Sequence, residues 1–342
     1  MTQYDYIIVG AGSAGCVMAN RLSENSNNKV LLIEAGGKDW HPFIHMPAGL
    51  AKLMYIKSIN WNYETQPEKE LNNRKMYWPR GKVLGGSSSI NAMCYARGQA
   101  EDYDEWRDMG NPGWGWDDIL PFFKKSENQQ RGADDFHGVG GPLHVQDLRY
   151  HSPLSDSFIQ AGTQAGWPEN DDFNGAKQKG VGLYQVTQKD GFRWSSARAY
   201  LNDVRDRPNL TVRTATLVEK VLLEKGSAKG IVIRDGREQV ELYADKEVIL
   251  CAGAIGSPQI LMLSGIGDAQ EIQKVGIKSQ HNLPGVGKNL QDHLDICTLY
   301  RCDENITYDR LNDIKVGIQY LLTRGGPGSS NIAEGLIVLL RH

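Results

Sequence analysis

The sequence predicts a mixed α/β protein built around a buried parallel sheet, with a second region of mixed sheet and helices. Three observations predict it. Tyr6–Val9 and Val30–Ile33 are continuous apolar, β-branched runs, the pattern of strands covered on both faces. Glycine clusters punctuate strand-to-helix transitions near residues 10 and 253, and a glycine–serine turn near residue 85. Several short strand-like runs between Leu210 and Leu250 follow one another closely, as in an antiparallel meander laid against the sheet.

Taken in order, the first strand runs into Gly10-Ala11-Gly12-Ser13-Ala14-Gly15, which turns the chain. A helix is expected next, with apolar Ala14, Val17, Met18 and Leu22 at helical spacing, ending in the polar stretch Glu24–Asn28. Val30–Ile33 forms the second strand, with Glu34 at its carboxyl end. Residues 36–66 are rich in Pro, Gly and aromatics without clear periodicity and read as irregular. Residues 80–98 form a glycine–serine turn leading into an apolar segment. Asn111-Pro112-Gly113-Trp114-Gly115-Trp116 is a turn cluster followed by a helix to about residue 124. Residues 132–146 read as loop and then the short strand Pro142–Val145. Strands return at Leu210–Arg213, Lys220–Leu223, Gly230–Ile233, Val240–Tyr243 and Val248–Leu250. No internal repeat is visible.

Composition narrows the function classes. A chain of 342 residues with 40% hydrophobic and 23% charged residues has length for two domains and a sizeable core. The net charge of −3 and the lack of a basic stripe argue against nucleic acid as a partner. Five cysteines (Cys16, Cys94, Cys251, Cys297, Cys302) are an odd number without zinc-like pairing, which suits a reducing cytoplasm. The apolar run after Met1 is too short for a signal peptide, and no stretch is long enough to span a bilayer. Cytoplasmic placement is the expectation, and loose attachment to the inner face of a membrane is compatible with it. No His/Cys/Asp/Glu cluster has ligand spacing, so no metal site is expected.

Three motifs carry chemistry. Gly10-x-Gly12-x-x-Gly15 between strand and helix is the dinucleotide-binding pattern of a Rossmann-like fold. Gly10 permits the tight turn, Gly12 lets backbone approach a pyrophosphate, and Gly15 lets helix and strand pack closely. The N–H groups of the following helix favour phosphate, which brings Ser13 and Ala14 to the site. Glu34, 19 residues past Gly15, stands where an acid accepts hydrogen bonds from an adenosine ribose, with Ala35 beside it. Alone the glycines are a weak signal; with strand, helix, second strand and acid they are a strong one. The second motif, Arg80-Gly81-Lys82-Val83-Leu84-Gly85-Gly86-Ser87-Ser88-Ser89-Ile90-Asn91, offers backbone N–H groups and small hydroxyls suited to an anionic or polar ring edge. The third, Gly253–Gly267, follows the strand Val248–Cys251 directly. A second strand–glycine–helix junction is what an extended dinucleotide lying across a sheet needs.

Together these residues resemble the glucose–methanol–choline family of flavin-dependent oxidoreductases. Gly81–Asp104 matches the family's first signature and Gly253–Gly267 its second. Glu34-Ala35-Gly36-Gly37, Asn60-Trp61-x-Tyr63, Leu283-Pro284-Gly285-Val286-Gly287 and Asn289-Leu290-x-Asp292-His293 echo it elsewhere. Asn91-Ala92-Met93-Cys94-Tyr95 and Cys251-Ala252-Gly253-Ala254 lean towards choline dehydrogenases and their aliphatic-alcohol relatives. The resemblance implies FAD, with Gly10, Gly12, Gly15 and Glu34 on its ADP part. It implies Val83, Gly85, Gly86, Ser87, Asn91, Ala92, Met93 and Cys94 along the flavin and ribityl chain, and Val218 at the adenine, with Ala252 and Gly253 also at the cofactor. Some relatives attach FAD through a histidine just before the asparagine; that position is Ile90 here, so non-covalent FAD is expected. The implied reaction is oxidation of choline or a primary alcohol to the aldehyde by hydride transfer to flavin N5, passing electrons to oxygen or a quinone-linked carrier.

Family members run about half as long again, and the family's catalytic histidine and its His or Asn partner fall beyond His342. No catalytic residue is therefore assigned. His41, His45, His137, His144, His293 and His342 are each expected to be structural, exposed or packing residues rather than the base. The departure from the family pattern after Glu334 suggests a frameshift or premature stop, with an exposed apolar tail at Leu336–Leu340 inviting association. A flavin-binding chain without turnover, or a lyase on the same fold, are the alternative readings. Trp61, Tyr63, Trp114 and Trp116 are available for an aromatic cage around a quaternary ammonium, although packing is their expected role. The domains expected are an FAD-binding domain over 1–150 and 200–300 and a partial substrate-binding domain over 151–199 and 301–342.

Overall fold

The computed structural model describes residues 3–293 and 299–338. The chain folds into two compact units, one comprising 1–40, 54–90 and 196–298, the other 41–53, 91–195 and 299–342. Residues 41–53 and 91–150, which the sequence grouped with the N-terminal strand, thus pack within the second unit.

The first unit is a six-stranded sheet. Its strands are β1 (Gln3–Val9), β2 (Val30–Ile33), β3 (Leu210–Arg213), β4 (Leu217–Glu224), β5 (Ser227–Asp235) and β6 (Glu238–Leu250), in the order β3-β2-β1-β6-β5-β4. β3, β2, β1 and β6 are parallel, and β6, β5 and β4 are antiparallel. The meander therefore extends the same sheet edge to edge instead of lying against it. The two runs expected at 240–243 and 248–250 are one strand of 13 residues. Its first half pairs with β5, Tyr243 opposite Gly230, and its second half with β1, Leu250 opposite Val9. The pairing with β1 already starts at Tyr243, opposite Gln3, and the polar residues Asp245–Glu247 that break the apolar pattern fall at its register shift between Tyr4 and Tyr6.

The sheet buries both faces, which accounts for the unbroken apolar runs. Alternation along each strand sends Ile7, Val9, Leu31 and Ile33 to one core with Val221, Ile231, Ile233 and Ile260. Ile8, Val30 and Leu32 go to the other, with Cys16, Ala19, Tyr200 and Leu201. Helix α1 (Ser13–Leu22) covers the second face through Gly15, Cys16, Ala19 and Asn20. Val17, Met18 and Leu22 only flank that contact, and Ala14 is exposed. The buried stripe is thus rotated from the expected one, because the small residues let the helix sit close to the sheet. Helix α2 (Gly253–Leu263) follows β6 and serves the first face through Ile260.

The second unit contains the helices Ala100–Asp108, Trp116–Ser126, Pro153–Gln164 and Asp313–Thr323 and several two-stranded pairs. The stretch expected to be irregular includes two one-turn helices, Pro42–His45 and Leu50–Leu53; His41 caps the first by accepting from Phe43 N. Gly335–Val338 pairs antiparallel with Gly180–Leu183, so those four residues form an edge strand where a free tail was expected. Cys297, Leu339, Leu340 and His342 lie outside the described residues. Among the described residues no helix is long and apolar enough to cross a membrane.

Candidate functional site

The carboxyl ends of β1, β2 and β6 meet where the neighbours of β1 change from β2 on one side to β6 on the other. Open α/β sheets bind ligands at such switch points. A cavity of about 890 Å³ lies there, its floor formed by Val9, Ile33 and Leu250, a size within the usual range of small-molecule sites.

Two helix N-termini open into it. Gly10, Gly12, Ser13 and Ala14 line the cavity at the start of α1, and Ala252, Gly253, Ala254 and Gly256 at the start of α2. Each helix leaves its first-turn N–H groups without intrahelical acceptors and carries partial positive charge there. Gly10 adopts φ +98, and a Cβ on it would meet the Cys251 carbonyl oxygen at 2.5 Å. Gly15 faces the opposite way: a Cβ there would lie 1.9 Å from the Gly10 carbonyl oxygen. Gly12 has nothing within 4 Å of a built Cβ, so its surface is open to the cavity.

The glycine–serine motif docks on this loop. Gly85 N donates to Ala11 O at 2.8 Å, and a Cβ on Gly86, itself at φ +54, would approach Gly12 Cα to 2.7 Å. Gly86 and Ser87 line the cavity, while Val83 and Gly85 pack behind it. A short parallel bridge between Gly37 and Val83 ties the motif to the end of β2.

Glu34 joins the parts. It is nearly buried, its Oε2 accepting from Ala11 N at 2.9 Å and its Oε1 from Gly36 N at 2.8 Å. Burial raises its pKa, and the two N–H groups and Lys82 oppose that rise. A carboxylate accepts about four hydrogen bonds, so capacity remains on the cavity side. Ala35 and Val218 complete this end.

Trp61 and Tyr63 also form part of the wall, stacked with centroids 5.8 Å apart and planes 6° apart, with Lys82 Nζ 4.7 Å from the Trp61 ring. Their place at the cavity differs from the packing role expected of them. Trp114 is instead exposed in the second unit against Trp106, and Trp116 packs with Tyr103. Arg80, Thr216, Glu219, Gln239 and Gln259 were missed as lining residues. Asn60-Trp61-x-Tyr63, Arg80 and Gln259 carried a signal, by lying in or beside the motifs; Thr216, Glu219 and Gln239 arrive on or beside β4 and β6 through strand pairing.

Asn91, Ala92, Met93 and Cys94 belong to the second unit. There Cys94–Tyr95 pairs with Gln185–Val186, and Asn331 Nδ2 donates to Ala92 O at 2.9 Å. Burial pushes the Cys94 thiol up to about 11, so it is protonated at neutral pH.

The histidines fall out as follows. His137 is buried, with Nδ1 3.1 Å from Glu127 and Nε2 3.0 Å from Asp172, and Arg97 pairs with the same Glu127 at 3.0 Å. Burial works against the imidazolium, but the hydrogen bonds to Asp172 and Glu127 outweigh it and push the pKa up to about 9. His144 stacks edge-on against Trp194 and has its pKa lowered, by burial first and Lys189 second. His293 is exposed beside Asp292. Among the described residues no group of three or more His, Cys, Asp or Glu could hold a metal ion.

This geometry agrees with the comparisons. Residues 4–295 match the family model for GMC oxidoreductase. The chain is 50% identical over 339 residues to an alcohol dehydrogenase [acceptor] of Pseudomonas putida, covering 97% of this chain and 61% of the relative. It is 46% identical to an oxygen-dependent choline dehydrogenase of Photobacterium profundum, over 97% of this chain and 60% of the relative. A solved FAD-dependent oxidoreductase from Chaetomium thermophilum superposes with a TM-score of 0.86 at 30% identity, over 97% of this chain and 61% of that one. The chain thus spans about three-fifths of the length of the relatives it matches. The match to the family model over most of the chain, with the cavity at the switch point of its sheet, shows that the chain belongs to the GMC oxidoreductase family.

Proposed function

We propose that this chain binds FAD non-covalently and forms part of an oxidoreductase acting on CH–OH donors, choline or a primary alcohol, yielding the aldehyde. The observation that carries the reading is the convergence of two glycine-led helix N-termini and one buried carboxylate on a single cavity. The helix ends suit a pyrophosphate, whose two negative charges they would share. Glu34 would accept from the adenosine ribose, and Val218 would place its backbone against the adenine. Asn91, Ala92, Met93 and Cys94 would contact the flavin, as the family resemblance implies. FAD supplies the hydride acceptor when bound.

No carboxylate, amine or histidine of this chain is assigned as the base that takes the hydroxyl proton. The same reading keeps the domains expected from the sequence, an FAD-binding one over 1–150 and 200–300 and part of a substrate-binding one over 151–199 and 301–342, with 41–53 and 91–150 of the former packing within the second compact unit. Oxygen and a quinone-linked carrier are the two acceptors in view, and the reading places the protein in the cytoplasm, with peripheral attachment to the inner face of the membrane as its variant.

The test is an absorbance spectrum of the purified chain, followed by anaerobic addition of choline or a primary alcohol. Flavin bands that bleach show turnover, and reoxidation by air against a soluble quinone then separates the acceptors. Bands that persist leave an FAD-binding chain without this activity. A spectrum with no flavin, unchanged by added FAD, overturns the reading.

A further inference from the structure

The second unit buries a guanidinium that the functional reading does not use. Arg193, on the short strand Phe192–Arg193, has no exposed surface. Its Nη1 donates to the backbone oxygen of Asn91 at 2.6 Å and to Asn91 Oδ1 at 2.9 Å, while Nε donates to Ile44 O at 2.8 Å. Burying this cation is unfavourable enough to bring its pKa down to about 9. Such a group is retained where it holds something in place.

What it holds is a strained turn. Asn91 Oδ1 accepts a second hydrogen bond, from Met93 N at 3.1 Å. Both partners of that oxygen can only donate, so the orientation of the amide is settled: oxygen towards Arg193, Nδ2 turned away. Asn91 is exposed, so Nδ2 faces outward as a donor. Met93, buried to 1%, stands at φ +60, a conformation that a long side chain adopts only when its surroundings over-determine it. The neighbours do so residue by residue. Asn331 donates to Ala92 O at 2.9 Å, and Thr187 N donates to Met93 O at 2.9 Å. Arg193 grips the Asn91 side chain as well as its backbone and, together with Met93 N on the same oxygen, selects which face of the Asn91 amide is presented.

We propose that Arg193 is a positioning residue for the flavin: by holding the Asn91 side-chain oxygen it presents the Asn91 amide N–H as a hydrogen-bond donor to an acceptor on the cofactor. This rests on the reading that Asn91–Cys94 contact FAD. A guanidinium fork suits the task because it meets the backbone and side-chain oxygens of one residue together, which the single ammonium of lysine cannot do while also reaching Ile44 O.

The experiment uses the full chain and compares wild type, Arg193→Lys, Asn91→Ala and the double variant. FAD affinity is read by quenching of flavin fluorescence, flavin environment by visible circular dichroism, and fold by melting without FAD. Arg193→Lys is expected to weaken FAD about tenfold, the loss of one well-placed hydrogen bond, and to alter the visible dichroism. Asn91→Ala should reproduce both changes. The double variant should be no weaker than Asn91→Ala alone, because both act through one amide. Wild-type affinity and dichroism in Arg193→Lys, or losses that multiply in the double variant, overturn the proposal. If Arg193→Lys does not fold, Asn91→Asp decides. It keeps an oxygen for Arg193 but offers no donor, so it should lose about tenfold in affinity at an unchanged melting temperature, and wild-type affinity would refute the idea. A wild-type chain that binds no FAD strikes the functional reading itself; wild-type binding with unaltered variants strikes only this proposal.

Discussion

At the scale of single residues, the three glycines of the first motif have separable jobs, and one-atom additions distinguish them. Gly15→Ala would drive a Cβ into the Gly10 carbonyl oxygen at 1.9 Å. That is backbone against backbone, so the helix must move off the sheet, and a loss of about 2–4 kcal/mol in urea unfolding is expected. Gly12→Ala meets nothing within 4 Å, and Gly12 holds an ordinary φ of −76. Its fold should be unchanged within about 0.5 kcal/mol, while FAD affinity falls because the methyl occupies cavity space. Equal stability losses in the two variants would refute this division of labour. Glu34→Gln makes a second test. Two backbone N–H groups need two oxygens, and glutamine offers one. Its NH2 would face Ala11 N or Gly36 N, at a cost of about 1–3 kcal/mol, seen as a lower melting temperature even without FAD.

At the scale of elements, what the sequence made legible is what local pattern encodes. β1, α1 and β2 were readable because apolar runs and glycine spacing are contiguous signals, and so was the cluster Gly10, Gly12, Glu34 and Gly253. The joining of β6 to both β1 and β5 was not, because its polar middle reads as a turn and strand partnership is non-local. His137 was illegible for the same reason: Glu127 and Asp172 reach it from 10 and 35 residues away in the chain. Its burial in a carboxylate pair carries a pH consequence. The folded-state pKa of about 9 lies above the unfolded value near 6.5. The stabilisation is therefore complete below about pH 6.5 and is lost as pH rises through 9. Unfolding midpoints in urea should fall across that window in wild type, and His137→Asn, already lacking the contribution, should show a flatter profile. Parallel profiles would show that the imidazolium is not the linked group.

At the scale of the molecule, two compact units and a chain three-fifths the length of its relatives raise the question of which parts respond to the cofactor. The cavity and every residue lining it belong to the first unit. A ligand held there at about 100 times its dissociation constant stabilises the folded state by about 2.7 kcal/mol, and the gain should be local in its first effects. Amide exchange with and without FAD should therefore slow most at 10–15, 34–36, 85–87 and 252–257, where N–H groups face the cavity or brace those that do. The outer antiparallel strand β5 should change less, as should β4 beyond Leu217–Lys220, which line the cavity. Residues 91–94 should gain protection only if the second unit contributes to the same cofactor, as the proposed function requires. Protection confined to the first unit would leave an FAD-binding sheet whose Asn91–Cys94 turn serves another purpose. Protection spread evenly over both units would mean that FAD acts on global stability and that the cavity at the strand ends is not where it binds.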